Sequence, residues 1–566
     1  MLPKSTLLLT LPLLLHQVCS TNLSPTVPSI TIDAGVVIGT TTNLPSASAA
    51  VNKYLGIPFA APPVRFAVPE KPKPWDAPLN ASAWKPACIQ QFPPVFAELS
   101  DILETVFNDF TPEESEDCLY LNVYAPAGPV PGNGRAVMFS IYGGNFQFGS
   151  AGQPIFDGSP FAAYEDVIVV TINYRTNSMY LPALPMLIFG FASAPELPLA
   201  ERNLGFLDQR AALDWVTRNI HAFGGDPAKV TIMGESAGAF SVDTLITTMP
   251  QNPPFRAAIL QSGQYSFLNP GLVDSTPTWL ALTAILGCSD PVSNLTCVRS
   301  VPAENLTEIT EANGLIFYPT SDNVTLLSHP AAARADGNIA RVPVLEGTNA
   351  QEGTLFAAVQ DNLTEFLNQW FGAFPPEAIE AVRLAYPLQG RTENEVIAEI
   401  SGEFSFLCPQ SLHTNVTAEA GVPAWRYWLN ATFPNIQLPG FNLGIYHGSE
   451  LPLVFSTYPP YNVTAQQYAL SNFMRQAWAR FAKNPAEGPG WNAVGTSGSF
   501  VRTQEGWLGF SEAVLEREAE DLHVGVLGAE GTAGVKIVRE SEIDARCGLF
   551  LPVYEALLAV KGDRWR

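Results

Sequence analysis

The stretch Val230-Thr-Ile-Met-Gly-Glu-Ser-Ala-Gly238 decides the fold of this chain. Its first four residues are apolar or β-branched and predict a buried strand. The Gly-x-Ser-x-Gly pentapeptide that follows predicts a sharp turn from that strand into a helix, with Ser236 presented above the sheet. The glycines permit a strained backbone and close packing of the helix on the strand. Ser236 is therefore a candidate nucleophile.

Four other short apolar runs predict further buried parallel strands, since each precedes a loop or a helix-like stretch. They are residues 137–142, 167–172, 257–260 and 342–345. Between them, residues 207–220 carry apolar side chains at helical spacing. This alternation predicts an α/β fold with a large, mostly parallel central sheet flanked by helices. Long insertions are expected, because we predict a single large domain at residues 21–566.

A serine nucleophile needs a base, and three histidines lie far enough along the chain to provide it. In α/β sheets with this turn, the order along the chain is serine, acid, histidine. His447 is favoured because glycines flank it in Gly444-Ile-Tyr-His-Gly-Ser-Glu450, which predicts a loop. His413 lies in a helix-like stretch and His523 in a charged segment, and both remain alternatives.

The candidate acid is Glu352, just past the predicted strand at residues 342–345. A carboxylate on the loop after a sheet strand reaches the top of the sheet, where the serine is expected. Glu346 and Asp336 are weaker alternatives. A glycine-rich loop, Tyr142-Gly-Gly-Asn-Phe146, follows another predicted strand and is able to aim backbone N–H groups at a developing oxyanion.

Composition excludes some classes of partner. The chain has 566 residues with 30 Lys+Arg and 53 Asp+Glu, a formal charge of −23. Such an acidic surface repels nucleic acid, so none is expected as a partner. There are six histidines and seven cysteines, with no C-x-x-C pair, so we expect no metal site.

The N-terminus predicts secretion. Lys4 precedes an apolar run at residues 7–15, and Val18-Cys-Ser20 has the small residues of a cleavage site, so residues 1–20 are predicted to be a signal peptide. Cleavage after Ser20 would remove Cys19 and leave six cysteines. Nine Asn-x-Ser/Thr sequons support a secreted, extracellular glycoprotein. They are Asn22, Asn80, Asn294, Asn305, Asn323, Asn362, Asn415, Asn430 and Asn462.

Several longer motifs resemble those of the type-B carboxylesterase/lipase family, which includes cholinesterases and fungal secreted esterases and lipases. The serine signature extends over residues 223–238, and a second signature over residues 116–122. Further family-like stretches are residues 54–63, 203–210 and 260–263. The resemblance covers about residues 30–555.

The resemblance implies an α/β-hydrolase fold and hydrolysis of carboxylic esters without a cofactor. It assigns Ser236 as nucleophile, Glu352 as acid and His447 as base, in agreement with the choice made from the residues. It implies three backbone oxyanion donors and three disulfides. The donors are the N–H groups of Gly144, Asn145 and Ala237, and the pairs are Cys88–Cys118, Cys288–Cys297 and Cys408–Cys547. Asn145 departs from the family's usual glycine, which puts substrate scope in question.

The family also contains adhesion ectodomains that lack the nucleophile, so a catalytically weak or inactive binding protein is the alternative function. Retention of Ser236, Glu352 and His447 favours the enzyme. A cholinesterase is disfavoured, because its choline-binding tryptophan lies between the first disulfide pair and residues 89–117 contain none. The sequence leaves open a small-molecule or a lipid ester as substrate.

Residues 95–110 predict an amphipathic helix inside the first disulfide loop. Apolar residues recur at helical spacing, and prolines precede and follow the segment. In the lipases that this chain resembles, the same segment forms a movable lid. A lid would imply bulky esters and transient contact with a lipid surface. A permanently packed helix would imply small soluble esters.

Overall fold

An eleven-stranded sheet forms the centre of the protein in the computed structural model, which describes residues 27–92, 97–108, 111–176, 188–267, 273–290, 294–438, 440–495 and 522–554. The strands within these ranges are β1 (Ser29–Ile32), β2 (Gly35–Ile38), β3 (Thr40–Thr42), β4 (Val51–Pro58), β5 (Leu79–Asn80), β6 (Tyr120–Pro126), β7 (Arg135–Ile141), β8 (Ile168–Ile172), β9 (Gly225–Glu235), β10 (Ala257–Gln261), β11 (Val344–Asn349), β12 (Ala424–Leu429), β13 (Leu522–Leu527) and β14 (Val535–Arg539).

Helices connect and cover these strands. Within the same ranges they are α1 (Ala97–Phe107), α2 (Ser159–Glu165), α3 (Leu204–Asn219), α4 (Ala237–Thr248), α5 (Thr276–Ile285), α6 (Asn294–Arg299), α7 (Ala303–Ala312), α8 (Pro330–Ala335), α9 (Leu363–Phe371), α10 (Pro376–Ala385), α11 (Glu393–Gly402), α12 (Cys408–Glu419), α13 (Leu451–Val454), α14 (Ala465–Lys483) and α15 (Glu540–Ile543). A five-residue π-helical segment, Glu403–Leu407, joins α11 to α12.

The middle of the large sheet is parallel, as predicted. The strand order is β14-β13-β12-β11-β10-β9-β7-β8-β6-β4-β3, and the strands from β13 to β8 pair in parallel. The pairs at both ends of the sheet are antiparallel. β1, β2 and β5 form a separate three-stranded sheet. All five apolar runs of the sequence lie in the parallel part, so the predicted fold class is confirmed.

Burial on both faces explains why these strands are apolar along their whole length. Every residue of β7, β8, β10 and β11 is buried, because helices cover both faces of a parallel sheet. The predicted helix at residues 207–220 is α3, which begins three residues earlier, at Leu204. Because β7, β9 and β11 all run in the same direction, their carboxyl ends lie at one edge of the sheet, where the candidate catalytic residues are expected.

Among the described residues three disulfides form, and they are the pairs that the family resemblance implies. Cys88–Cys118, Cys288–Cys297 and Cys408–Cys547 have Cα–Cα distances of 4.9, 5.6 and 5.1 Å, which are ordinary for disulfides. The first encloses α1, and the third ties the C-terminal part of the chain to α12. In the ranges described, none of the helices has both the length and the apolar character needed to cross a lipid bilayer.

Candidate active site

The turn after β9 places Ser236 in a strained backbone conformation. β9 ends at Glu235 and α4 begins at Ala237, and Ser236 between them has φ 53° and ψ −123°. A positive φ is costly for a residue with a side chain. A Cβ atom at Gly234 would lie 2.3 Å from the carbonyl carbon of Gly238, so glycine lets α4 pack directly on the end of β9. This turn presents a half-buried Ser236 above the sheet.

The carboxylate of Glu352 lies just past β11, and β11 is two strands away from β9, which ends just before Ser236. Glu352 is 1% exposed. Its Oε1 accepts hydrogen bonds from the backbone N–H of Asn349 at 2.6 Å and from Oγ of Ser262 at 2.5 Å. Its Oε2 lies 2.7 Å from Nδ1 of His447. These bonds fix the carboxylate in position to orient the imidazole.

The imidazole of His447 lies in the glycine-flanked loop. Gly444 and Gly448 on either side have φ of 65° and 84°, and His447 is 2% exposed. Its Nε2 lies 3.2 Å from Oε1 of Glu235, the residue that precedes Ser236. Among the described residues, Nε2 has no hydrogen-bond partner, Ser236 included. Catalytic hydrogen bonds often tighten only in the substrate complex.

The loop after β7 borders Ser236 and turns through three consecutive left-handed residues. Their φ angles are 80° for Gly144, 56° for Asn145 and 58° for Phe146. A Cβ atom at Gly143 would lie 3.0 Å from the Cβ of Ser236. The Nδ2 of Asn145 donates to Oε1 of buried Gln147 at 2.9 Å. The loop therefore holds the backbone of Gly144 and Asn145 beside the nucleophile.

Ala237, the third predicted oxyanion donor, is the first residue of α4. The first N–H groups of a helix have no acceptor within the helix and carry partial positive charge. Because Ala237 directly follows Ser236, this end of α4 faces the site of attack. The structure thus places Ala237 directly after Ser236 and the turn at Gly143 against the Ser236 side chain, and binding of a substrate oxyanion by the three predicted donors stays a prediction.

Three buried carboxylates surround His447 and change the local proton affinities. Burial raises the pKa of Glu235 to about 8. Burial lowers the pKa of His447, but the carboxylates of Glu235 and Glu352 outweigh it and raise that pKa to about 9. Burial and the charge of Glu352 raise the pKa of Glu450. The site therefore favours an imidazolium, the form that a catalytic histidine takes during acyl transfer.

Glu346 and His413, which the sequence left open as acid and base, pair with each other outside this site. Nδ1 of His413 lies 2.7 Å from Oε2 of Glu346, and its Nε2 lies 3.2 Å from Oδ1 of Asp243. All three side chains are fully buried. Asp336 is exposed at the end of α8, and His523 is part of β13. Within the described ranges, no group of three or more His, Cys, Asp or Glu side chains has a metal-binding arrangement.

Helix α1 packs over the site through its apolar face. Ile102 and Leu103 are buried in a cluster with Leu355, Leu443 and Tyr446. A Cβ atom at Gly448 would lie 2.9 Å from the ring of Phe107, so the end of α1 contacts the histidine loop. The predicted helix at residues 95–110 is present as Ala97–Phe107. Residues 95, 96, 109 and 110 lie outside the described ranges.

Three residues of this site were not among those predicted from the sequence. Glu235 stands inside the serine pentapeptide, Glu450 ends the histidine heptapeptide, and Ser262 lies in a family-like stretch. Their positions next to the candidate residues in the sequence could have identified them. The sequence did not show that the fold packs Glu235 and Glu450 around one imidazole, or that Ser262 donates to Glu352.

The predicted glycosylation sites differ in accessibility. Five of them are exposed, namely Asn80, Asn305, Asn323, Asn362 and Asn462. Asn430 is half-buried, and Asn22 lies outside the described ranges.

Two predicted sites do not fit the structure. Asn294 is 3% exposed and accepts a hydrogen bond from Trp279 Nε1 at 3.4 Å, so a glycan there would displace packed side chains. Nδ2 of Asn415, the atom that would carry a glycan, donates to Oε1 of Glu540 at 2.8 Å. Thr417 of the same sequon is fully buried.

Comparison with known proteins agrees with this geometry. The model of the carboxylesterase family matches residues 26–507. The para-nitrobenzyl esterase of Bacillus subtilis (strain 168) is 32% identical over 524 residues, which cover 87% of this chain and 96% of that esterase. The chain therefore belongs to the carboxylesterase family, and it is a carboxylic ester hydrolase of the serine-hydrolase type.

Two cholinesterases are about as similar. The cholinesterase of Mus musculus is 32% identical over 493 residues, covering 80% of this chain and 78% of that protein. The acetylcholinesterase of Electrophorus electricus is 30% identical over 611 residues, covering 94% of this chain and 90% of that protein. Because this chain is about equally similar to relatives whose names give different substrates, sequence identity does not identify its own substrate.

Proposed function

We propose that this protein hydrolyses carboxylic esters through an acyl-enzyme on Ser236, with His447 as general base and Glu352 as its orienting acid. The observation that carries the proposal is the 2.7 Å contact between Glu352 and His447 beside a serine with positive φ. A carboxylate at Nδ1 leaves Nε2 as the basic nitrogen of the neutral imidazole.

In the first acyl transfer, Ser236 Oγ attacks the ester carbonyl and His447 Nε2 takes its proton. The backbone N–H groups of Gly144, Asn145 and Ala237 bind the tetrahedral oxyanion, and losing one such donor typically costs about 10²–10³ in rate. His447 then gives its proton to the leaving alcohol. Water repeats the same steps on the acyl-enzyme and releases the acid.

Glu235 adds negative charge on the Nε2 side of the imidazole. Its Oε1 lies 3.2 Å from that nitrogen. When Glu235 is ionised, it stabilises the imidazolium that forms as Ser236 attacks. The same Glu235 carboxylate can accept a hydrogen bond from the Nε2–H that must be passed to the leaving alcohol. Proton transfer to the alcohol therefore depends on the orientation of the His447 ring.

The proposed substrate is an ester with an apolar acyl or alcohol part. Phe107, Phe148 and Phe92 lie in the cluster that covers the site, with the rings of Phe92 and Phe148 stacked at 4.7 Å. Apolar walls with few polar groups suit small organic ligands. The Asn145 side chain is larger than the family's usual glycine, so we expect it to narrow the space for the acyl group of the ester. A choline ester is disfavoured, since no tryptophan occurs at residues 89–117.

The direct test is hydrolysis of p-nitrophenyl esters of graded chain length by wild type and Ser236→Ala. We expect wild type to release p-nitrophenol with a preference for one chain length. Ser236→Ala should keep the wild-type melting temperature and lose turnover. Equal turnover in the two proteins would disprove the assignment of the nucleophile.

We further propose that α1 is a lid and that the protein acts at lipid interfaces. The apolar face of α1, with Ile102 and Leu103, lies inside the loop closed by Cys88–Cys118. Rate measured against concentration of a medium-chain ester should jump at its solubility limit, and Leu103→Asp should weaken the jump. A smooth saturation curve for wild type would identify a fixed helix and a small soluble substrate.

Secretion is proposed from the N-terminal pattern, with residues 21–566 as the mature catalytic domain. Exposed sequons such as Asn80 and Asn462 support it. N-terminal sequencing of protein from the medium should begin at residue 21, and deglycosylation should lower the apparent mass. Titration of the denatured, unreduced protein should find no free thiol. A reactive thiol would show that Cys19 is retained or that a disulfide is open.

A further inference from the structure

The start of α14 lies in an uncharged region of the chain with exposed apolar side chains. Residues 456–474 contain no Asp, Glu, Lys or Arg, although the chain is acidic overall. Tyr461, Val463 and Tyr468 are 61, 37 and 62% exposed, and we call these three side chains the α14 patch. A contiguous exposed apolar surface is a liability in solution and usually marks a contact.

The cap of α14 brings the members of the α14 patch to one end of the helix. The Oγ1 of Thr464 accepts a hydrogen bond from the N–H of Gln467 at 3.0 Å, so Thr464 is the N-cap. Val463 directly precedes this cap and Tyr468 follows it by four residues, the two positions whose apolar side chains commonly pack together at a helix start. Helical side chains lean towards the N-terminus, so Tyr468 leans towards residues 461–464.

The ring of Tyr164, in α2, extends this surface. Burial raises the pKa of Tyr164, Arg475 lowers it and Tyr468 raises it further, so the phenols of Tyr164 and Tyr468 lie near each other. The guanidinium of Arg475 lies 4.7 Å from the centroid of the Tyr164 ring. Arg475 is buried and paired with Glu165 at 2.9 Å, so it adds no exposed charge to the surface.

The sequon Asn462 lies within the α14 patch, between Tyr461 and Val463. Asn462 is exposed and has φ 54°, a left-handed conformation that asparagine tolerates better than most residues. A glycan on its side chain would therefore begin among the exposed tyrosines. Sugar rings have apolar C–H faces that pack on aromatic rings, while their hydroxyls and the tyrosine hydroxyl stay in water.

We infer that the N-linked glycan of Asn462 packs on the rings of Tyr461 and Tyr468 and covers the α14 patch. This inference rests on the proposed secretion, because N-glycosylation needs entry into the secretory pathway. A glycan attached beside the patch has a high effective concentration there, so it occupies the patch ahead of a sugar from solution. The glycan is then a fixed part of the surface.

The test is the rate at which an endoglycosidase releases each glycan from the folded protein, followed by mass spectrometry of the glycopeptides. Asn305 is the reference sequon, because it is exposed on α7 and lies near the charged Glu304 and Glu308. We expect release from Asn462 to be about 2- to 10-fold slower than from Asn305, the range that one aromatic contact provides. After denaturation the two rates should be equal.

Tyr468→Ser should speed release from Asn462 towards the rate at Asn305 and leave the rate at Asn305 unchanged. Leu384→Ser, which replaces an exposed apolar side chain on α10 outside the patch, is the matched control and should change neither rate. Both variants should keep the wild-type melting temperature and ester turnover, because both side chains are exposed. If Tyr468→Ser does not fold, Tyr461→Ser provides the same test.

Three results would overturn the inference. They are an unmodified Asn462 in protein that carries glycans at other sequons, equal release from Asn462 and Asn305 in the folded protein, and an unchanged rate at Asn462 in Tyr468→Ser. Protein without a glycan at any sequon would overturn the proposed secretion as well. The proposed ester hydrolysis is tested separately, by loss of turnover in Ser236→Ala.

Discussion

Two buried histidines in this protein make the same pair of contacts but differ in their surroundings. His447 lies 2.7 Å from Glu352 through Nδ1 and 3.2 Å from Glu235 through Nε2. His413 lies 2.7 Å from Glu346 through Nδ1 and 3.2 Å from Asp243 through Nε2. A carboxylate at each nitrogen therefore does not define a catalytic histidine.

The cluster around His413 is closed by a cation. The guanidinium of Arg334 donates to Asp243, to Thr417 and to Ser266, and every one of these groups is buried. The hydroxyl of Ser266 donates to Asp243 at 2.7 Å, so it does not face His413 as a nucleophile would. Burial and Arg334 lower the pKa of His413, but Glu346 and Asp243 outweigh them and raise it.

The cluster around His447 has a strained, half-buried serine and a glycine loop instead of the cation. Nε2 of His447 has no hydrogen-bond partner among the described residues, whereas both ring nitrogens of His413 are hydrogen-bonded to carboxylates. A buried ring nitrogen without a partner is costly for stability. The His413 cluster joins α4, α8, β11 and α12, and the comparison supports the proposal that the reaction takes place at the His447 cluster.

The largest expected effect comes from replacing each histidine in turn. In His447→Ala, kcat for p-nitrophenyl acetate should fall by roughly 10⁴-fold or more, because only binding and the oxyanion hole remain. The double variant Ser236→Ala/His447→Ala should be hardly worse than either single variant. In His413→Asn, turnover per active site should be unchanged and the melting temperature lower. If folded His413→Asn lost turnover and folded His447→Ala kept it, His413 would be the base.

The next effect concerns stability. Arg334→Met leaves the buried charge of Asp243 without its cation, and breaking a buried pair in this way costs about 3–5 kcal/mol of unfolding free energy. Denaturant unfolding measures the loss, with turnover per active site unchanged. Lys536→Met, which breaks the exposed pair with Glu530, is the control and should not change stability measurably. A stable Arg334→Met protein would show that the His413 cluster does not hold these elements together.

The smallest effect is a shift in pH dependence. A general base works only when neutral, so activity rises as pH passes upward through its pKa. The pKa of His447 is raised to about 9, so the acid limb of kcat/KM should lie above the ordinary imidazole value of about 6.5. Glu235→Gln removes one raising charge and should move that limb to lower pH by roughly 1–3 units. An unmoved limb would show that Glu235 does not act on the base.

The sequence predicted β7 to β11, because each carries a short, mostly apolar run, but it did not predict the parallel strands β12 and β13. In β12, Arg426 interrupts the apolar pattern. That side chain is 1% exposed and is paired with Asp544 and Glu540, which come more than a hundred residues later. A buried charge is tolerated only with its partner, and no local pattern shows a partner so distant.

The site residues also differ in how far the local sequence could predict them. Ser236, Glu352 and His447 stand out locally, because each lies in a glycine-marked turn next to a strand or loop. Glu346 and Glu352 were both candidates for the acid, and the sequence could not show which histidine each one meets. The fold decides it, since Glu346 lies within β11 and Glu352 past its end.

Peptide mapping of the adduct formed with a small fluorophosphonate tests the central claim most directly. In wild type, the adduct should lie on Ser236 alone. The labelling rate should collapse in His447→Ala and stay at the wild-type value in His413→Asn, measured on folded protein. An adduct on another residue, or undiminished labelling of Ser236 in His447→Ala, would contradict the assignment of Ser236 and His447 as nucleophile and base.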